Sequence, residues 1–307
     1  NFILLKGRQN YICKRRLNDN LNVLDLFPEE NEEISKIAEF AAQSSTGSKS
    51  ELSFLPSENA WSKVNSESDA CFGMRCPFHS ECFVMKVKKA AAGANLIVVN
   101  HHLLFADIES RINGAGFEDT AVLPPYKRIV FDEAHGIESA ATSFFSESFT
   151  RFKINKLINQ MYNKRKNSQS GHLCTLALLS SNEEKASLAY EITNKIKNDI
   201  INLEITAEDL LKNDYTKRLC SNTAVEFGPL LVCISELSQS LGNFADVVRV
   251  VMEGLAEDDK DIPAYWESKI ILRRIDNYVL LLKNFLSWDE KLDNVYWIQL
   301  KKLPFDF

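Results

Sequence analysis

The chain has 307 residues, of which 45% are hydrophobic and 25% charged, with a formal net charge of −6. That balance suits a globular protein with one substantial core or two or three small ones. It excludes a globally basic nucleic-acid surface, so any such contact must be local, and no apolar run approaches the roughly 18 to 20 residues of a membrane span.

Residues 2 to 5 (FILL) predict a short buried strand. Residues 29 to 43 (EENEEISKIAEFAAQ) predict an amphipathic helix with Ile34, Ile37 and Ala41 on one face. Its acids gather at the N-terminal end, where the helix dipole favours them. The stretch from Ser44 to Ser68 is rich in Ser, Gly, Pro and Asn and reads as a loop with one short turn at Trp61. A helix is expected from about Cys82 to Ala92. LIVVN (96 to 100) and RIVFD (128 to 132) are β-branched apolar runs and read as fully buried parallel strands. Residues 150 to 290 carry helical patterns, such as Leu188, Ile192 and Ile196, or Ile270, Ile271, Ile275, Val279 and Leu282. Breaks are expected at KNSQSGH, at Gly228-Pro229 and at EDDKDIP, and VYWIQL (295 to 300) reads as a last strand. The layout is a few buried strands separated by two long insertions, the first carrying cysteines and the second helical.

Seven cysteines are an odd count in a chain this long. Reduced cytosolic thiols, some of them metal ligands, fit better than a secreted disulfide scaffold. No secretory signal opens the sequence. It starts on NFILLKGRQNYIC without an initiator Met and stops on LKKLPFDF, as expected of a piece cut from a longer protein.

CFGMRCPFHSEC places Cys71, Cys76 and Cys82 in a C-x4-C-x5-C pattern, and Cys13 lies far upstream in NYICKRR. Zinc sites usually show two short chelating pairs. Three clustered cysteines and one distant one is the arrangement of plant-type iron–sulfur ferredoxins, with different spacing. Ordinary cysteines and a zinc site are the competing readings, and His79 could replace a ligand. Gly73 allows a tight turn between ligands. Cys174, Cys220 and Cys233, on helical stretches, read as ordinary buried cysteines. Lys14, Arg15, Arg16, Arg75 and Lys86 surround the proposed ligands and would stabilise an anionic cluster or bind a phosphate backbone. At least one of Lys14, Arg15 and Arg16 is expected to face solvent as a DNA-binding residue.

RIVFDEAH puts two carboxylates at the end of an expected strand, where open α/β sheets place ligands. Asp132 would hold Mg2+ through its hydration shell. Glu133 would orient or deprotonate the water that attacks a γ-phosphate, and His135 would link nucleotide state to other motifs. No G-x-x-x-x-G-K-[ST] phosphate loop occurs; STGSKSE (45 to 51) lacks its first glycine and its GK pair. Asn100, His101 and His102 have no third ligand at metal spacing, and His102 is expected to be a satisfied core histidine.

The segments LKGRQNYIC, TGSKSEL, DACFGMRCPFHSECF, ANLIVVNHHLLFADI, IVFDEAHGIE and LPFDF resemble the XPD-like superfamily 2 DNA helicases, in particular the bacterial DinG/YoaA branch. The resemblance is clear over roughly the first 145 residues; the helical region fits by position and type. It implies a mainly α fold with a small parallel β component, in which a partial α/β RecA-like motor domain is interrupted by an iron–sulfur domain and a helical arch. The implied domains are 1–11 (motor domain), 12–93 (iron–sulfur), 94–142 (motor domain with the DEAH box), 143–292 (arch) and 293–307 (return to the motor domain). Cys13, Cys71, Cys76 and Cys82 would hold a [4Fe–4S] cluster, and Asp132, Glu133, Ala134 and His135 would form the Walker B box. Gly136 departs from the bulkier polar residue that relatives often carry.

The implied function is an ATP- and Mg2+-dependent 5′-3′ helicase of DNA repair or replication. It would be monomeric, cytoplasmic and bacterial, and would act on single-stranded and forked duplex DNA. Without a phosphate loop, the fragment alone is expected to be inactive. The alternative is a non-enzymatic, metal-stabilised nucleic-acid- or protein-binding module, which would have no need of D-E-A-H.

Overall fold

A computed structural model of the chain describes residues 1–21, 28–116, 118–165, 168–212, 214–290 and 293–300. It is mainly helical and divides into two units, Asn1–Glu147 and Ser148–Phe307. No described helix is long and apolar enough to cross a membrane.

The first unit opens with β1 (Phe2–Leu4), followed by α1 (Lys14–Leu21), α2 (Pro28–Gln43), α3 (Glu58–Val64) and α4 (Phe83–Ala92). β2 (Leu96–Val98), α5 (His101–Ser110) and α6 (Ile137–Phe145) complete it. β1 and β2 pair in parallel, Phe2 opposite Leu96 and Leu4 opposite Val98. This is the parallel pairing expected of FILL and LIVVN, but the burial differs. Phe2, Leu4, Leu96 and Val98 are exposed, while Ile3 and Ile97 turn toward a small core with Leu5, Ala91, Leu104 and Leu123.

RIVFD is not a strand. Residues 128–131 are irregular, and Ile129, Val130 and Phe131 are all exposed. A parallel strand is stable only with neighbours to satisfy its backbone and layers to cover both faces. Among the described residues the β1–β2 sheet has two strands and leaves Phe2, Leu4, Leu96 and Val98 exposed, so it lacks the covering layer that such a run needs on both faces.

α2 buries Ile34, Ile37 and Ala41 as its periodicity predicts. They pack with Ile12, Leu17, Ala60, Trp61, Val64 and Phe83. The expected loop at 44–68 is therefore more than a loop. It contains α3, capped by the Ser57 hydroxyl, which accepts from the Ala60 N–H at 3.2 Å. Fully burying side chains such as Trp61 and Val64 stabilises by about 1.5–3 kcal/mol each, enough to anchor this stretch. Gly47 (φ +62°) fits closely here, because a Cβ would stand 2.3 Å from the Phe83 ring.

The second unit is a helical assembly: α7 (Arg151–Met161), α8 (His172–Leu179), α9 (Glu183–Leu211), α10 (Ala224–Glu253) and α11 (Pro263–Leu286). β3 (Asn163–Arg165) and β4 (Ser168–Ser170) form one antiparallel ribbon, and β5 (Thr216–Leu219) and β6 (Tyr296–Gln299) another. Of the KNSQSGH break, Ser168–Ser170 form β4 and Gly171 precedes α8, and EDDKDIP ends on Pro263 at the first position of α11, where proline lacks no needed donor. Gly228-Pro229 does not break the chain: α10 runs through Pro229. Pro229 lies near the helix start, and the carbonyl its missing N–H would have met belongs to Val225, whose side chain is 91% exposed. VYWIQL pairs with β5 of this unit. Residues 301–307, which include LPFDF, lie outside the described residues.

Cys174, Cys220 and Cys233 are half-buried rather than buried. Cys220 lies in the turn between β5 and α10, not on a helix. The expected burial fails because Cys174 and Cys233 sit at the margin of the core, where Cys233 contacts the Thr206 hydroxyl at 3.5 Å, and Cys220 meets the Thr223 hydroxyl of its own turn at 3.6 Å.

Candidate functional site

The four cysteine-bearing segments meet in the first unit. The Cys13 N–H donates to the Val64 carbonyl at the end of α3 (2.8 Å). Cys71, Cys76 and Cys82 are spaced by two single 3-10 turns, Gly73–Arg75 and His79–Glu81, neither of which buries a side chain. Successive N–H groups stitch the turns: Cys76 to Gly73 O (3.1 Å), His79 to Cys76 O (3.0 Å) and Cys82 to His79 O (3.3 Å). Gly73 has φ +57°, which glycine tolerates without strain, and its N–H points at Cys71 Sγ from 3.4 Å. Residues that follow Cys13 reach the neighbours of Cys82 and of Cys71. Lys14 pairs with Glu81 at 2.6 Å, beside Cys82. Arg15 donates to the Ala70 carbonyl (3.1 Å) and lies over the Phe72 ring (4.2 Å to its centroid), on the two sides of Cys71.

The thiols differ electrostatically. Burial pushes the Cys13 thiol up, against nearby N–H groups and the charges of Arg15 and Arg16. Burial acts the same way on Cys71, but the Gly73 N–H and the Arg8 guanidinium outweigh it and hold that thiol below the ordinary value. Lys88 lies close by, its ammonium pushed down by burial and by the charge of Arg8. Four thiols supply the donor chemistry of a soft metal centre. Among the described residues, no three Cys, His, Asp or Glu side chains stand close enough together to hold a metal ion.

Two of the three basic residues after Cys13 turn inward. Arg15 and Arg16 do not project into solvent; they are 7% and 6% exposed. Arg15 also pairs with Asp19 (2.7 Å). Arg16 donates to the Asn65 carbonyl and side chain (3.0 Å each) and to Glu67 (3.2 Å). α1 packs against α3, so its first turn faces inward, and guanidinium forks satisfy the carbonyls left at the edge of that packing. Lys14 is engaged by Glu81.

The DEAH segment lies at the surface. Asp132 Oδ1 accepts the Glu133 N–H (3.0 Å), and His135 Nδ1 lies 3.2 Å from Glu133 Oε2. Glu133 adopts φ 51°, ψ 50°, and a 3-10 turn, Ala134–Gly136, leads into α6. A non-glycine residue in this left-handed region is uncommon and costs on the order of 1 kcal/mol.

Two features around this segment escaped the sequence reading. The first is aromatic. His101, at the start of α5, stacks on Phe131 beside Asp132 (6.1 Å), and Phe105 of α5 meets Phe144 and Phe145 of α6 at 5.9 Å each. His102 is exposed, against the expectation of a core histidine, and meets only the edge of Phe144 among described rings (6.1 Å). It lies on an exposed position of α5 rather than in a core. The second is a buried ion pair. Asp107 and Arg111 (0% and 3% exposed) pair at 2.6 Å along α5. Arg111 donates onward to the carbonyls of Gly116 (3.1 Å), Asp119 (2.9 Å), Leu123 (3.0 Å) and Pro124 (3.3 Å). Asp107 accepts the Leu123 N–H (2.7 Å), and Tyr126 covers the guanidinium at 5.1 Å. The spacing D-x-x-x-R in ADIESR was the available signal.

No protein-family model matches the chain. The chain is similar to the ATP-dependent DNA helicase YoaA of Haemophilus influenzae, 35% identical over 165 residues, which cover 52% of this chain and 25% of that protein. YoaA of Escherichia coli is 35% identical over 152 residues, 49% of this chain and 23% of its own length. The ATP-dependent helicase DinG of Mycobacterium tuberculosis is 30% identical over 164 residues, 48% of this chain and 24% of its own. The chain thus spans about a quarter of the length of these curated relatives, and its similarity falls on the DinG/YoaA branch.

Proposed function

We propose that this chain is part of an ATP-dependent DNA helicase that translocates 5′ to 3′ on single-stranded DNA and opens forked duplexes in repair or replication. Its motor chemistry would lie in the DEAH segment. Asp132 would hold Mg2+ through water, since Mg2+ keeps most of its hydration shell. Glu133 would accept a proton from the water attacking the γ-phosphate. His135, 3.2 Å from that carboxylate, can donate to it and hold its orientation. Cys13, Cys71, Cys76 and Cys82 would hold a [4Fe–4S] cluster, which would supply a covalent cross-link for a segment with little core of its own. Arg8, Arg15 and Lys88 would offset the negative charge of such a centre.

The observation that carries this reading is the presence, in one unit of a chain similar to YoaA and DinG, of both D-E-A-H before α6 and four stitched cysteine segments. Phosphoryl transfer needs mainly positioning and charge stabilisation, and the carboxylates here are open to a ligand. In the complete protein, Glu133→Gln should bind ATP and DNA but hydrolyse ATP at least a hundredfold more slowly, the loss typical of removing a general base. Near-normal turnover would remove Glu133 from this role. Anaerobically purified protein should contain iron and sulfide in equal amounts, and zinc in their place would refute the cluster.

A further inference from the structure

We propose that the outer face of α7, continued by Lys164 of β3, is a contact surface for single-stranded DNA in the second unit. The inference rests on the nucleic-acid reading given above, and adds a surface that neither the DEAH segment nor the cysteine segments supply.

The chain carries a net charge of −6, yet residues 148–182 hold six Lys and Arg and no Asp or Glu. Cations gathered in one stretch of an acidic chain create a local positive field. α7 shows where three of them stand. Its inner face is Ile154, Leu157, Ile158 and Met161, all buried. At about 3.6 residues per turn, the face directly opposite is Phe152, Lys156 and Asn159. All three are exposed. A solvated helix face is normally polar, but here a phenylalanine sits at its centre, 51% exposed. Arg151 lies over that ring at 4.7 Å from its centroid, and its guanidinium is tied to Glu204 of α9 at 2.6 Å. The ring is thus braced on one side by a cation and open over half its surface.

Lys153 turns back to the Ser148 hydroxyl at 3.0 Å. Lys156, one turn beyond Phe152, has no hydrogen-bond or ion-pair partner among the described residues. Lys164 is likewise exposed and without one. The only acid paired on this face among the described residues is Glu204, and Arg151 already neutralises it.

Cations alone would suit any anion. An open ring beside free ammonium groups suits a single strand, whose phosphates meet the cations and whose unpaired bases can stack on the ring. A duplex keeps its base faces covered and gains nothing from Phe152. Asn159, on the same face, can both donate to and accept from a base edge.

The test uses the complete protein and an oligothymidine strand, with affinity measured from 50 to 200 mM salt. The variants are Lys156→Ala plus Lys164→Ala, and Phe152→Leu. All three side chains are exposed, and the urea midpoint of each variant is expected to match the parent. For single strands the slope of log affinity against log salt is about 0.7 per phosphate contact. The double lysine variant should therefore flatten the slope by about 1.4 and weaken binding roughly fivefold per lost contact at 0.1 M salt. Phe152→Leu keeps an apolar side chain and loses the stacking face. It should weaken binding at least about fivefold with the slope unchanged, and should leave binding to a blunt duplex within twofold of the parent. Single-strand affinity and slope unchanged in the lysine variant overturn the proposal; a lowered urea midpoint alongside would show that the face packs against another part of the protein. An unchanged affinity in Phe152→Leu, or equal losses on the duplex, overturns the single-strand assignment. A parent protein that binds no single strand overturns instead the helicase reading on which the proposal rests.

Discussion

Replacing Arg16 by Ala should unfasten the start of α1 rather than weaken a DNA contact. The bonds of the Arg16 side chain include two to Asn65 and one to Glu67, whose own side chain is 14% exposed. Removing one partner of a buried pair costs about 3–5 kcal/mol, because the other charge is left without compensation. Glu67 keeps some access to water, so the lower end, about 3 kcal/mol, is expected. Arg15→Ala loses a bond to a buried carbonyl, about 1 kcal/mol, and a ring contact worth about 1 kcal/mol. The two positions are adjacent, so the double variant need not reach the sum. Hydrogen exchange of the α1 and α3 amides is the direct assay. A loss of 3 kcal/mol should speed exchange there roughly a hundredfold where it occurs through local opening. If exchange in Arg15→Ala plus Arg16→Ala stays within threefold of the parent while single-stranded DNA binding weakens and its salt slope flattens, the internal role argued here is wrong and the residues are phosphate contacts.

Cys71→Ser, Cys76→Ser or Cys82→Ser should each abolish bound iron and open residues 66–82 to protease, while 44–64 stays resistant because Trp61 and Val64 anchor it; cleavage spread evenly over 44–85 would refute that anchoring. Gly47→Ala should destabilise the first unit by about 2–4 kcal/mol, combining a left-handed backbone cost of about 1–2 with overpacking against Phe83; an unchanged urea midpoint would contradict it. Tyr190 has its pKa pushed up to about 12, first by burial and then by negative charge at Cys174 and Tyr162. Its folded pKa lies above the unfolded value of 10, so the folded state holds the proton more tightly and stability falls as pH rises from 10 to about 12. Urea unfolding of Tyr190→Phe across that range should show a shallower decline than the parent, and equal slopes would refute the assignment.

The helices were legible where burial and period agree. Ile34, Ile37 and Ala41 fall on one face of α2 and are buried. The predicted stripe on α9 was less accurate: Ile196 is fully buried but Leu188 is 39% exposed, because the buried face runs through Ala186, Ala189 and Thr193. Small residues let α10 approach closely, and a count of large apolar side chains misses them. RIVFD failed for a different reason. An apolar β-branched run states a preference for burial between neighbours, and that preference is met only where neighbours exist. β1 and β2 pair with each other, while Ile129, Val130 and Phe131 have no strand partner among the described residues.

Around the candidate site, the residues with distinctive chemistry were legible and the buried charges packed near them were not. Cysteines and the D-E-A-H string are rare enough in combination to be read directly. Arg15 and Arg16 were visible too, but charge alone does not say whether a guanidinium meets phosphate or a buried carbonyl, since it bonds both with the same fork. The answer lay 50 residues away, at Asn65 and Glu67. Asp107 and Arg111 are harder still, because i, i+4 pairs of opposite charge are common on solvated helix faces and contribute only a few tenths of a kcal/mol there. What sets this pair apart is the loop it holds, and that loop supplies backbone carbonyls, which every residue carries. A framework built from main-chain acceptors leaves almost no trace in side-chain identity. Such a framework therefore becomes visible only when the chain is folded.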